Sequence, residues 1–188
     1  MASDISSIKE LGKESGKTIN AYGLFAKVGY QFHVIPSRPV LSLRESYASG
    51  GKKTDNKIYT FDPAYGAGDK YYGWMNITTW SNFDDREIVL ELYPLKEKMW
   101  IEMKFNRFNI PVPDDITLLN TMKLENNKHH LGDEFDIFIR FQVKKQWQLT
   151  GAFGYFMPGD LMPINNNPPN NAVWTALQVL FSLHDNSG

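Results

Sequence analysis

The chain contains no cysteine. That excludes a disulfide framework and any thiolate metal site. It has no run of 18 apolar residues, so it encodes no transmembrane helix. Its opening residues, MASDISSIKELGKESGKT, lack the apolar stretch of a signal peptide. An excess of either charge is missing too: 20 Lys and Arg stand against 21 Asp and Glu, with a pI near 6.4. No bulk field therefore draws the chain toward nucleic acid or anionic lipid. Helical periodicity is nearly absent; only residues 4–15 fit one or two turns. The 188 residues suffice for one domain.

What the chain does have is alternation. In EFDIFIRFQV, residues 134–143, every odd position is apolar: Phe135, Ile137, Ile139, Phe141 and Val143. The even positions hold Glu134, Asp136, Phe138, Arg140 and Gln142. A strand sends successive side chains to opposite faces, so one face is hydrocarbon and the other mostly charged. Six further stretches repeat the pattern fully or weakly: 18–32, 39–49, 86–93, 98–109, 147–157 and 173–183. In 18–32, Tyr22, Leu24, Ala26, Val28, Tyr30 and Phe32 share one face. Glu45 is a blemish, a charge among the apolar positions of 39–49. Many of these runs reach the about 9–11 residues of a tilted membrane crossing, beyond the about 5–6 usual in soluble sheets. The predicted fold is all-β, an antiparallel transmembrane barrel with about 7–8 strands in this chain.

Two classes share such strands. In a soluble barrel the apolar face is core and the polar face is surface. In an outer-membrane barrel the apolar face meets lipid and the polar face lines the interior. The connections favour the second. HVIPSR (33–38), PLKEK (94–98) and KKQ (144–146) are short, while 50–85, 110–133 and 158–172 are long. Tight periplasmic turns alternating with long outer loops are the layout of a membrane barrel. Counting back from an inward-running last strand, the first of seven strands also runs inward. A free-standing barrel of this class has an even strand number. Either a strand lies within 4–15 or 70–80, or the chain is the C-terminal part of a longer barrel; the abrupt start favours the latter. The domain reading is an N-terminal segment over 1–17, an outer loop or short helix, then barrel over 18–183, then a tail over 184–188.

Three stretches carry a resemblance. LRESYASGG (43–51), TFDPAYGAGDKYYGWMNI (60–77) and LGDEFDIFIRFQVKKQWQLTGAFGYFMPGDLM (131–162) resemble the C-terminal half of the alginate-export family of outer-membrane porins. Their landmarks follow that family's order over about residues 17–183. The resemblance implies a bacterial outer-membrane location with lipid around the wall. It implies upstream strands or other subunits as partners, polar or anionic solutes as cargo, and no cofactor. It also implies that the 50–85 loop folds at or into the outer mouth, bringing Asp62, Lys70, Tyr71 and Tyr72 there.

On the inward face the candidate solute-contacting residues are Lys27, Arg44, Glu91, Glu102, Lys104, Glu134, Asp136 and Arg140. Charged rings lining a pore set its preference for ions and solutes. The same residues also read as ion pairs that hold the wall, because a half-buried charge needs a partner either way. Four acids balance four bases, whereas a lumen for a polyanion would be net basic; this weighs against alginate as the cargo.

Other motifs carry less. GKESGKT (12–18) is one residue short of a P-loop and precedes a strand instead of opening a helix. His129-His130 lacks a third ligand at metal spacing, and Asp84-Asp85 and Asp114-Asp115 read as loop acids. No nucleophile–base signature is present, so the expected role is not enzymatic. Two alternatives stand beside the porin. One is a soluble calycin-like barrel holding an apolar ligand among Trp100, Phe138, Phe156 and Trp174. The other is a non-conducting partial barrel acting as membrane anchor or subunit, since about eight strands enclose only their own side chains.

Overall fold

A computed structural model describes residues 2–14, 17–51, 56–62, 73–75, 77–113, 128–162 and 169–183. Among the described residues it is all-β apart from one 3₁₀ turn at Lys96–Lys98. The strands are β1 (Ala2–Glu14), β2 (Lys17–Gln31), β3 (Val40–Ala48), β4 (Lys57–Ile58) and β5 (Phe83–Leu92). They continue as β6 (Met99–Asn109), β7 (His130–Lys144), β8 (Trp147–Pro158) and β9 (Ala172–Phe181). One sheet holds them in the order β1-β2-β3-β5-β6-β7-β8-β9, each pair antiparallel. Sequence order is thus spatial order, as expected for a meander. The two-residue β4 lies parallel to β2 at Thr18 and Ile19, beyond the point where β3 stops pairing. β1 and β9 are the margins of an open sheet; among the described residues neither pairs with the other.

Residues 1–17, expected as an outer loop or short helix, contain the long strand β1. β1 pairs with β2 from Ala2↔Gly29 to Glu14↔Lys17. A β2 edge without a partner would leave a row of donors and acceptors bare, and that need outweighs the helix-like spacing of Ile5, Ile8 and Leu11. With β1 the main path has eight strands, so parity alone no longer demands a missing strand. β1 then begins, and β9 ends, at the short-turn side. The alternation of loop lengths is also less regular than expected, because β1 and β2 are joined tightly at the long-loop end. GKESGKT falls on this hairpin and opens no helix.

The faces are reversed relative to a water-soluble barrel. Leu43, Ile88, Val28 and Leu177 are exposed on one face, with Leu43 at 54% and Leu177 at 80%. On the other face Asp85, Asn106, Glu134 and Asp136 are fully buried. The apolar core sits at the long-loop end of that inner face. There Phe61 and Trp80, from the 50–82 connection, pack edge to face at 5.0 Å against a cluster with Phe83, Phe108 and Phe156. Each such ring removed from water contributes about 1.5–3 kcal/mol. The long connection is therefore bound to the inner wall and does not stand free of it.

Candidate functional site

The register stacks the inner-face residues in rows across β3 and β5–β8. Glu87, Asn106, Glu134 and Phe156 are successive cross-strand partners, with Arg44 beside Glu87 on β3 and Lys27 beside Arg44 on β2. The next row runs Val89, Lys104, Asp136, Gly154. Below it come Glu91, Glu102, Phe138 and Ala152, and then Trp100, Arg140 and Thr150 toward the short turns. Every residue of these rows is at even spacing from its strand neighbour, which is why alternation alone places it inward.

Arg44 is the hub of the upper rows. Its guanidinium lies 3.6 Å from Glu87, 3.5 Å from Glu91 and 3.8 Å from Glu102, so it reaches from β3 across β5 to β6. Glu91 also accepts bonds from the Tyr93 hydroxyl at 3.0 Å and from the Trp100 ring nitrogen at 3.3 Å. Lys104 lies 3.9 Å from Asp136 and 5.5 Å from the Trp74 ring centre. Burial and the neighbouring Glu91 carboxylate, to which it donates, push the Tyr93 phenol up to about 12.

A strap of the long connection closes over this wall. The backbone N–H of Trp74 donates to Asp136 at 3.2 Å, and that of Met75 donates to Glu134 at 3.1 Å. Asn106 donates a second bond to the same Asp136 oxygen, at 3.2 Å. Trp74 stacks flat on Phe138, 4.6 Å between ring centres and 12° between planes. Gly73 turns the strap with φ +75°, and a Cβ there would overlap the Glu134 carboxyl group. Only glycine meets both demands without cost. The inward loop thus directs two backbone donors to two buried carboxyl groups.

The expected inward residues therefore divide. Arg44, Glu91, Glu102, Lys104 and Asp136 are joined in ion pairs, and Glu134 is bonded to the strap. Lys27 and Arg140 make no ion pair among the described residues; Arg140 instead lies over the Trp100 and Phe138 rings at 5.1 and 5.7 Å. Asp62 is exposed at the end of a described piece of the long connection, while Lys70, Tyr71 and Tyr72 lie outside the described residues. Asp114-Asp115 lies outside them as well. Asp84-Asp85 is not a loop pair: β5 begins at Phe83, and Asp85 points inward. His129 bonds the Ile110 carbonyl at 2.8 Å and His130 lies 3.3 Å from Asp133.

Several inner residues escaped the sequence reading. Asp85 and Glu87 belong to the Val89–Glu91 face but precede the stretch taken as strand, 86–93, or its first counted position. Adding them makes the described inward charges six acids against four bases, so the expected balance becomes an acidic excess. The family resemblance brought the 50–85 loop to the mouth, but nothing singled out Trp74, because contact between a loop and a wall has no period.

The sequence model described as alginate export matches residues 3–174. The chain belongs to the alginate-export family. No curated protein matches it. An alginate-export family member is a transport-type, all-β chain, and the inside-out faces agree with that class. Among the described residues no helix is long and apolar enough to cross a membrane. The calycin-like alternative fares differently. Phe138 is already covered by Trp74 and Trp100, and Phe156 lies 6.4 Å from Phe108, so the protein's own rings fill that space. The exposed face is the apolar one, the opposite of what that alternative requires.

Proposed function

We propose that this chain is a wall segment of an outer-membrane channel that passes small polar or anionic solutes by diffusion, with the inner face toward solute and the outer face toward lipid. The observation that carries the reading is the pairing of two reversed surfaces. An apolar face is exposed, crossed at its long-loop end by the charged row Glu45, Arg86, Arg107 and Asp133, while acids and bases are gathered inside under an inward strap. In water this arrangement is unfavourable; in a bilayer it is the rule for barrels. Membership of the alginate-export family supports the same location. The charged residues that remain toward the interior, Lys27 and Arg140 above all, are the candidates to meet solute.

The open margins bear on how such a wall works. Backbone groups bare to lipid cost several kcal/mol each, so β1 and β9 need further strands beside them, from the same polypeptide or another subunit. The same margins favour a second reading, a partial barrel that anchors or completes a larger wall and conducts nothing by itself. Planar-bilayer recording of the refolded chain separates the two. Discrete, stable conductance steps support the channel. Folded β-structure that inserts into vesicles without any conductance overturns it in favour of the partial wall.

A further inference from the structure

The outer face is not oily from end to end. At its long-loop edge Glu45, Arg86, Arg107 and Asp133 form one row of cross-strand partners on β3, β5, β6 and β7. Below that row β7 presents Phe135, Ile137, Ile139, Phe141 and Val143. The stretch from Asp133 to Val143 rises about 24–28 Å at the tilt of barrel strands, close to the apolar band of about 25 Å on such walls. The charged row therefore lies at the level where hydrocarbon gives way to headgroups, in the leaflet at the long-loop side.

Arg86 and Arg107 sit directly opposite each other, with no strand between them. Like charges so placed repel. Acids draw them to opposite sides: Arg86 lies 3.1 Å from Asp84 and 3.9 Å from Glu45, and Arg107 donates to Asp133 at 2.9 and 3.3 Å. None of these contacts uses an Nη1 nitrogen, so each guanidinium keeps donors for a further partner. Both side chains are more than half exposed. Beside the pair runs a groove of about 570 Å³ across β2, β3, β5 and β6. Below the charges it is lined by Val28, Leu43, Ile88 and Phe105, all of them exposed. Ala26, next to Glu45 on β2, adds only a methyl group and leaves the groove open at its side. A hydrocarbon floor beneath two guanidiniums matches a chain that carries an anion. A free anion would leave the floor unused, and an uncharged chain would leave the arginines unmet.

We infer that this groove docks one acidic lipid of the leaflet at the long-loop side. Its phosphate-monoester headgroup is held between Arg86 and Arg107, and an acyl chain runs down over Leu43, Ile88 and Phe105. Guanidinium forks suit phosphate because paired N–H donors meet paired oxygens. A basic side chain at the membrane surface also draws anionic headgroups. Glu45, Asp84 and Asp133 hold the two forks apart and so set the width of the gap. The inference rests on the reading of the apolar face as lipid-directed; it does not need the wall to conduct.

The test uses the absence of cysteine. Leu41→Cys gives a single attachment point for a fluorophore, on the outer face beside the groove and about 10 Å below the charged row. The labelled full chain is refolded into phosphatidylcholine vesicles, and its quenching is followed as phosphatidic acid or phosphatidylcholine with brominated acyl chains is added. Phosphatidic acid is expected to quench at a mole fraction lower by at least about 5-fold. The double variant Arg86→Gln, Arg107→Gln is expected to lose that preference. Lys145→Gln removes a charge from the short β7–β8 turn at the other end and is expected to keep it. Inorganic phosphate in the buffer is expected to leave the preference unchanged; its loss there would assign the arginines to a free anion and overturn the lipid site. Equal quenching by the two lipids, or an equal loss in Lys145→Gln, overturns the site and leaves the face lipid-directed. No quenching by either lipid means that a second copy or water covers this face, and overturns both readings. If the double variant does not refold, Arg107→Lys replaces it: the charge stays, the fork is lost, and an unchanged preference counts against the site. A preference found without bilayer conductance removes the channel and leaves the lipid site standing.

Discussion

Arg44→Met removes the one cation shared by three carboxylates. Its contacts at 3.6, 3.5 and 3.8 Å are each attractive by about 4–5 kcal/mol at an effective dielectric of about 20, before desolvation is subtracted. Desolvation of the ions takes back most of that gain, and Glu91 and Glu102 face each other directly across β5 and β6. What the variant loses is therefore not the gross attraction. It is the compensation of acids left in a largely buried place, with Glu87 only 2% exposed at its side chain. Losing one partner of a buried pair costs about 3–5 kcal/mol. With a urea slope of about 2–3 kcal/mol/M for a chain of this size, the unfolding midpoint in detergent should fall by about 1–2 M. Tryptophan fluorescence in a urea series measures it. A companion variant tests the cause: adding Glu87→Gln, Glu91→Gln and Glu102→Gln to Arg44→Met should recover most of the loss, because the three carboxylates that Arg44 served are then neutral amides. The reasoning fails if Arg44→Met unfolds at the parent midpoint, or if the fourfold variant is worse than the single one.

Three further outcomes follow from other parts of the molecule. Gly73→Ala should cost about 1–3 kcal/mol, from its left-handed backbone and the overlap with Glu134, and should release the strap, seen as faster proteolysis within 52–82. Leu41→Arg, on the apolar face two rows from the charged Glu45–Arg86 row, should lower the stability of the folded chain in lipid vesicles by about 2–4 kcal/mol, whereas Leu95→Arg in a turn should change it little. The raised Tyr93 phenol contributes stability below pH 10 that is lost as pH rises through about 12. Absorbance titration should therefore show a late tyrosinate component near 12 that Tyr93→Phe removes, and a parent-minus-Tyr93→Phe difference centred near 10 would refute the raised phenol.

Much of the wall was legible because period two is a strong signal. Phe135, Ile137 and Ile139 face outward and Glu134 and Asp136 face inward, as alternation requires. The alternation of short and long connections, together with the family landmarks, pointed to the apolar face as the outer one, something period alone leaves open. β1 was not legible in the same way. Its apolar residues recur every third position, and its strand state comes from the β2 edge it covers, a tertiary demand that local spacing does not express. Asp85 was misplaced because strand ends are set by pairing to Asn109 and Phe108, not by hydrophobicity. The strap was beyond reach for another reason. Its docking depends on the absence of a side chain at Gly73 and on two backbone donors, neither of which leaves a compositional mark.

The margins of the sheet have a consequence for how such walls grow. β1 and β9 run in opposite directions, so any outward-running strand can follow β9 and any inward-running strand can precede β1. The whole arc is therefore interchangeable with any other even set of hairpins. It can be spliced into a wider ring, repeated, or deleted without reversing a single neighbour or turning one oily face inward. Circumference then becomes a quantity that evolution can change in steps of one hairpin, while the chemistry fixed inside each arc travels with it.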